Sequence, residues 1–276
     1  MIREKLTKSN ALCTYSGCLE VGSGSEVVQN YKEEFILGFK VCALSQYKII
    51  QNLAKDLKNG KQNIIYNINP LFITCFYKYP KYIENFNSQS YQIPDGIGVV
   101  LASKIKNSSI KKRIAGIELF EELLKLAAKE KYKVFLYGAE EELNQKTEEV
   151  LKKNYKINIA GRINGYEKEE QALAAIINSE SDMLFIALGN PKQEEFIIKN
   201  EKALSKIKLI MPVGGSFNVI SGNIKRAPNI YQKLHLEWFY RMIKNPKRIF
   251  ANLGLIKFVF LIVMQNYRDK WPGKSK

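Results

Sequence analysis

The 276-residue chain holds one histidine, His235, and four cysteines, Cys13, Cys18, Cys42 and Cys75, all in its first third. A lone histidine and a single C-x4-C spacing exclude the usual zinc arrangements and leave the cysteines as reduced thiols, as in a cytosolic protein. No G-x-x-x-x-G-K-[ST] and no G-x-G-x-x-G after a strand occur, which removes the common nucleotide cradles. H-E-x-x-H and G-x-S-x-G are also missing. There is no D-x-D, and carboxylates near strand ends are few, so no metal site is expected. Long apolar runs are absent too. The opening MIREKLTKSNALC lacks the apolar stretch of a signal peptide. The most apolar late run, LIKFVFLIVM (255–264), is interrupted by Lys257 and is too short to cross a bilayer. Acidic residues are scarce: 27 Asp and Glu stand against 43 Lys and Arg, a formal net charge of +16.

What is present argues for a packed protein. The chain is 46% hydrophobic and 11% aromatic, enough for a real core. Its length fits one large domain or a domain with an appendage. The charge calls for an anionic partner: nucleic acid, acidic lipid headgroups or a phosphorylated ligand. That charge is uneven. From Gly222 onward twelve Lys and Arg face only Glu237 and Asp269, so +10 of the +16 lies in the last fifth of the chain.

Residues 1–34 show no period and include VGSGSE; they read as an extension, poorly ordered or loosely packed. Beyond them, short apolar runs end in Gly, Pro or Asn: NIIYNINP (63–70), KVFLYGAE (133–140), INIAGRING (157–165), MLFIALGNP (183–191) and KLIMPVGG (208–215). Segments with helical spacing lie between them. In GIELFEELLKLAAKEK (116–131), Ile117, Leu119, Phe120, Leu123, Leu124 and Ala127 make one apolar stripe. This alternation predicts an α/β fold, a Rossmann-like, mostly parallel sheet flanked by helices, over residues 35–224. Residues 225–276 predict a basic C-terminal helical appendage of two or three helices, broken near Pro246. Its aromatics beside cations suit a membrane–water interface, and equally suit a core helix with a solvated basic face.

Polar residues and glycines collect at the predicted strand ends, where parallel sheets bind ligands. They are Asn67 and Asn69, Asp95 after YQIP, Gly138, Gly189 and Gln193 in LGNPKQEEF, and Gly214 in PVGGSFN. Arg113 closes the basic cluster before the helix at Gly116. PVGGSFN offers backbone N–H groups to a phosphate at a helix start. Each residue also has an ordinary explanation as a turn or cap. Together at one sheet edge they suggest a nucleotide or sugar-phosphate pocket, without naming a reaction.

The string NINP…IPDGIGVVLA…KKRIAGIELF…VFLYGA…LGNPKQEEF…VGGSFNVISGNIKRAPNIYQKLHLEWFYRMIKNPKRI resembles, in order and spacing, the WecG/TagA/CpsF family of bacterial glycosyltransferases, from about Phe35 to Arg248. The resemblance implies a Rossmann-like enzyme with a C-terminal helical appendage. It would transfer an N-acetylhexosamine, typically N-acetylmannosamine, from a UDP-sugar to N-acetylglucosamine on undecaprenyl diphosphate, with inversion. The reaction would need no metal and no cofactor and would run at the cytoplasmic membrane face, in synthesis of wall teichoic acid, common antigen or capsule. Carried over by motif, Asp95 is the general base. Asn67, Asn69, Arg113 and Gln193 bind substrate, and Arg241 and Arg248 hold the diphosphate. Asn67 stands where the family's T-x-N motif has Thr, which alters the size of the polar group and bears on the sugar accepted. Phe250, Ala251 and Asn252 stand where relatives often carry a further Arg. The implied partners are a UDP-sugar, a lipid-linked diphosphate acceptor and an anionic membrane surface, with no nucleic acid; a homo-oligomer is left open. Two alternatives remain: another donor, such as UDP-glucose or a UDP-uronic acid, and a basic nucleic-acid-binding protein that is not an enzyme.

Overall fold

A computed structural model describes residues 33–89, 91–106, 109–233, 237–244 and 249–270. The expected extension lies outside these residues except for its last two, as do Cys13, Cys18, His235, Arg248 and the break near Pro246. The described chain opens with a hairpin that the sequence reading did not anticipate, β1 (Glu33–Ile36) antiparallel to β2 (Phe39–Cys42). Its two turn residues, Leu37 and Gly38, have φ of 51° and 87°, the left-handed pair that matches the twist of a tight hairpin.

Strand and helix then alternate: α1 (Gln46–Lys58), β3 (Asn63–Ile68), α2 (Pro70–Phe76), α3 (Pro80–Ser88), β4 (Tyr91–Pro94), α4 (Ile97–Ile105), α5 (Gly116–Glu130), β5 (Lys133–Gly138), α6 (Glu141–Val150), β6 (Asn158–Ile163), α7 (Glu169–Asn178), β7 (Met183–Ala187), α8 (Lys192–Asn200), β8 (Leu209–Pro212) and α9 (Ser216–Ile220). Strands β3 to β8 form one six-stranded parallel sheet in the order β4-β3-β8-β7-β5-β6. The central strands β7 and β8 are buried along their whole length, so their sequences are continuous apolar runs without polar alternation.

Period-two geometry sends successive residues to opposite faces. Met183, Phe185, Leu209 and Met211 pack against α1 and α5, while Leu184, Ile186 and Ile210 pack against α2, α3, α4, α7 and α8. The six residues of the expected α5 stripe are all buried. An aromatic group of Phe39, Tyr66, Phe72, Phe76 and Phe86 fills the second layer.

The C-terminal helices are α10 (Asn229–Lys233), α11 (Glu237–Lys244) and α12 (Ile249–Lys270). Helix α12 packs on α2 and α4 and buries Phe258 and Ile262 in the same core layer. Its other side leaves Ile256, Val259, Phe260, Val263 and Tyr267 exposed. Among the described residues, no helix is long and apolar enough to cross a membrane.

Candidate functional site

Apart from Arg241 on the C-terminal helix α11, the predicted site residues with described positions follow the strands at the carboxyl edge of the sheet or the segment beside it, but several have structural duties there. At the end of β3, Asn69 is the N-cap of α2: its Oδ1 accepts from the Phe72 N–H at 2.9 Å, with Pro70 at the first helical position. Asp95 follows β4, and its backbone N–H donates to the Ile68 carbonyl at 2.9 Å. That bond extends the β3–β4 ladder one step and sets the half-buried Asp95 beside Asn69. Gly96 has a φ of +88°, and a Cβ there would stand 3.7 Å from Pro70 Cδ and 3.9 Å from Asn69 Cβ. The chain turns here where an L side chain is strained. A Cβ on Gly98 would stand 2.6 Å from Pro70 Cγ, so only glycine fits.

Asn67 joins two strands. Strands β3 and β8 pair through Asn63–Leu209 and Ile64–Ile210. Beyond that, the Asn67 Nδ2 donates to the Pro212 carbonyl at 2.9 Å. Its amide packs against Gly116, where a Cβ would come within 3.0 Å of Nδ2. Threonine is too short to repeat this bridge. Asn67→Thr is therefore expected to lower unfolding free energy by about 1 kcal/mol, one net hydrogen bond, in urea denaturation. An unchanged midpoint would show that the bridge contributes nothing.

Arg113 reaches the same corner because the Ile114 N–H donates to the Pro94 carbonyl at 2.8 Å, which brings the segment before α5 alongside the end of β4. Its guanidinium donates to Glu237 Oε2 at 2.8 Å. Arg226 donates through Nε to Glu237 Oε1 at 3.2 Å and through its terminal nitrogen to Glu118 Oε1 at 2.6 Å. Burial pushes the Glu237 carboxyl up, but Arg113 and Arg226 outweigh it and hold it below the usual carboxylate value. Arg241 lies on α11, one turn beyond Glu237.

Across the sheet, the Gln193 Oε1 accepts from the N–H groups of both Gly189 and Gly214, each at 3.2 Å. It thereby ties the loop after β7 to the loop after β8. The Gly214 N–H expected to face a phosphate is thus engaged within the protein, and α9 behind it has only five residues. Gln193 donates through Nε2 to Glu194 Oε1 at 2.8 Å. Glu194 is buried, and burial pushes its carboxyl up to about 7, against the charge-favouring bond from Gln193. Gly138 serves packing: with φ +111°, a Cβ there would lie 2.6 Å from the carbonyl carbon and oxygen of Ala187.

Glu118, Glu194, Arg226 and Glu237 were not singled out from the sequence. Glu237 did leave a signal, as one of two acids against twelve cations. Two clefts, of about 690 and 330 Å³, open beside α8 and are lined by residues such as Tyr82, Pro191 and Glu195; no predicted site residue lines either. Among the described residues, no three His, Cys, Asp or Glu side chains group as metal ligands would. The edge near Asp95 thus offers a half-buried carboxylate beside amides, with two half-buried arginines paired to Glu237 on the adjoining segment, a setting suited to proton removal next to an anionic leaving group.

Comparison with known proteins identifies the family. The model of the glycosyl transferase WecG/TagA/CpsF family matches residues 35–272. The chain is 38% identical over 217 residues to an N-acetylglucosaminyldiphosphoundecaprenol N-acetyl-beta-D-mannosaminyltransferase of Bacillus subtilis (strain 168), covering 77% of this chain and 84% of the relative. It is 34% identical over 239 residues to a protein of the same name from Staphylococcus aureus (strain MRSA252), covering 85% and 94%. These matches set aside the reading of a basic, non-enzymatic binding protein. The chain belongs to the WecG/TagA/CpsF family of glycosyl transferases.

Proposed function

We propose that the chain moves N-acetylmannosamine from a UDP-sugar to the N-acetylglucosamine of a diphosphoundecaprenol acceptor, with inversion at the transferred carbon. The donor sugar and acceptor are those in the names of its relatives. The observation that supports the reading most is the placing of Asp95 beside Asn69 and Arg113 at the carboxyl edge of β3 and β4. In the proposed step, Asp95 takes the proton from the acceptor hydroxyl as its oxygen attacks the sugar carbon, and the bond to UDP breaks. Arg113, Arg241 and Arg248 stabilise the charge developing on the diphosphate, in place of a metal ion. The deciding assay is a panel of UDP-sugars with a synthetic GlcNAc-diphosphate-lipid, run in EDTA. Transfer from UDP-N-acetylmannosamine is expected. Faster transfer from UDP-glucose or a UDP-uronic acid would overturn the donor, and dependence on a divalent ion would overturn the metal-free scheme.

The acceptor's lipid places the reaction at the inner membrane face, with the protein held peripherally. The exposed residues Ile256, Val259, Phe260, Val263, Met264 and Tyr267 recur at three- and four-residue steps on α12, as on a helix lying in a headgroup layer. Replacing Val259 and Phe260 with Glu is expected to weaken sedimentation with anionic vesicles about tenfold or more, since each buried apolar side chain is worth about 1.5–3 kcal/mol. Equal sedimentation would take α12 out of the membrane contact.

A further inference from the structure

We propose that Glu237 is a positioning residue that docks α11, and with it the backbone position of Arg241, against the segment that leads to the carboxyl edge of the sheet. The inference rests on the proposed diphosphate role of Arg241 and Arg248. Glu237 is the first residue of α11 and is buried in a part of the chain dominated by cations. Both of its oxygens are engaged, Oε2 by Arg113 and Oε1 by Arg226. A carboxylate taken out of water persists only when paired in this way. Arg226 is itself held by Glu118 in the first turn of α5, so four charged side chains from three parts of the chain form one cluster.

The cluster leads directly to the reacting edge. Arg113 precedes Ile114, whose N–H bonds the Pro94 carbonyl, and Asp95 is the next residue. In the other direction, Arg241 is one helical turn past Glu237. The Tyr231 and Tyr240 rings meet at 5.2 Å, joining α10 to α11. Glu237 therefore fixes α11 to the segment that carries Arg113, and any movement of α11 away from Arg113 and Arg226 must break two charge-assisted bonds. The carboxylate also keeps two guanidinium groups from repelling each other beside the site.

The test uses the full chain with Glu237→Ala, and Glu237→Gln as the variant closest in shape. Without the carboxylate, amide exchange in α11 is expected to quicken about tenfold or more while β7 and β8 keep their protection, as for a local opening. The kcat/KM for UDP-N-acetylmannosamine is expected to fall about tenfold or more, as when one partner of a buried ion pair is removed. On an Arg241→Ala, Arg248→Ala background, the same change is expected to cause a several-fold smaller loss than in the parent, the remainder acting through Arg113, because residues acting through one element are not additive. Unchanged exchange in α11, or quickened exchange across the whole sheet, overturns the docking. A loss that adds in full on the double-arginine background overturns the positioning role. A chain that transfers no sugar in any form defeats the transferase reading instead, and the exchange result then decides the docking by itself.

Discussion

Asp95→Asn is expected to bind UDP as the parent chain does and to transfer sugar about a hundred- to ten-thousandfold more slowly, the usual contribution of a general base. The substitution keeps the shape of the side chain and removes its basicity. The structure gives a reason for the fold to survive it: the turn is held by backbone, through the Asp95 N–H to the Ile68 carbonyl and the Ile114 N–H to the Pro94 carbonyl. Gly96 and Gly98 shape the same turn against Pro70. A loss confined to kcat, with the KM for the UDP-sugar unchanged, would place the missing interaction in the transition state. UDP affinity measured by calorimetry supplies the control. Turnover near that of the parent would remove Asp95 as the base and move attention to the arginine cluster.

The fold was legible because its signals are local. Apolar runs of strand length, the α5 stripe and the Gly, Pro and Asn punctuation between them are read within a short window, and each corresponds to an element of the sheet or its layers. The hairpin of Glu33–Cys42 escaped because its turn, Leu37–Gly38, lacks the Asn-Gly or Asp-Gly pair that marks a tight hairpin. The placing of the strand-end residues was legible for the same reason as the strands. Their partners were not. Arg113 meets Glu237 across 124 positions and Arg226 meets Glu118 across 108, and no period or motif encodes a pairing of that range.

Two side-chain amides show how the edge is built. Main-chain pairing between β3 and β8 stops at Ile64–Ile210, short of both strand ends. Asn67 restores one link there with its own amide to Pro212. Gln193 supplies the corresponding link between the loops after β7 and β8. From sequence both looked like substrate ligands. In the structure each first holds the edge together, and Gln193 acts through an orientation that Glu194 sets by accepting from its Nε2.

Glu194→Gln is expected to remove a loss of stability that the parent chain suffers between pH 5 and pH 8. The carboxyl is buried and titrates at about 7, against an ordinary value of 4.5. Between those values the folded chain keeps a proton that the unfolded chain has released, so stability falls as pH rises; below 4.5 both states are protonated and the group is neutral in its effect. One group shifted this far removes about 2–3 kcal/mol between pH 5 and pH 8, at about 1.4 kcal/mol per unit. The glutamine does not titrate, and its amide oxygen still accepts from the Gln193 Nε2. Any fixed penalty for the exchange cancels when each protein is compared with itself across pH. Urea denaturation of both chains at pH 5 and pH 8 therefore isolates the carboxyl: the parent should fall by that amount more than Glu194→Gln. Parallel pH profiles would mean that the carboxyl ionises as it does in water, and the buried carboxyl would lose its part in fixing Gln193 as a neutral acceptor.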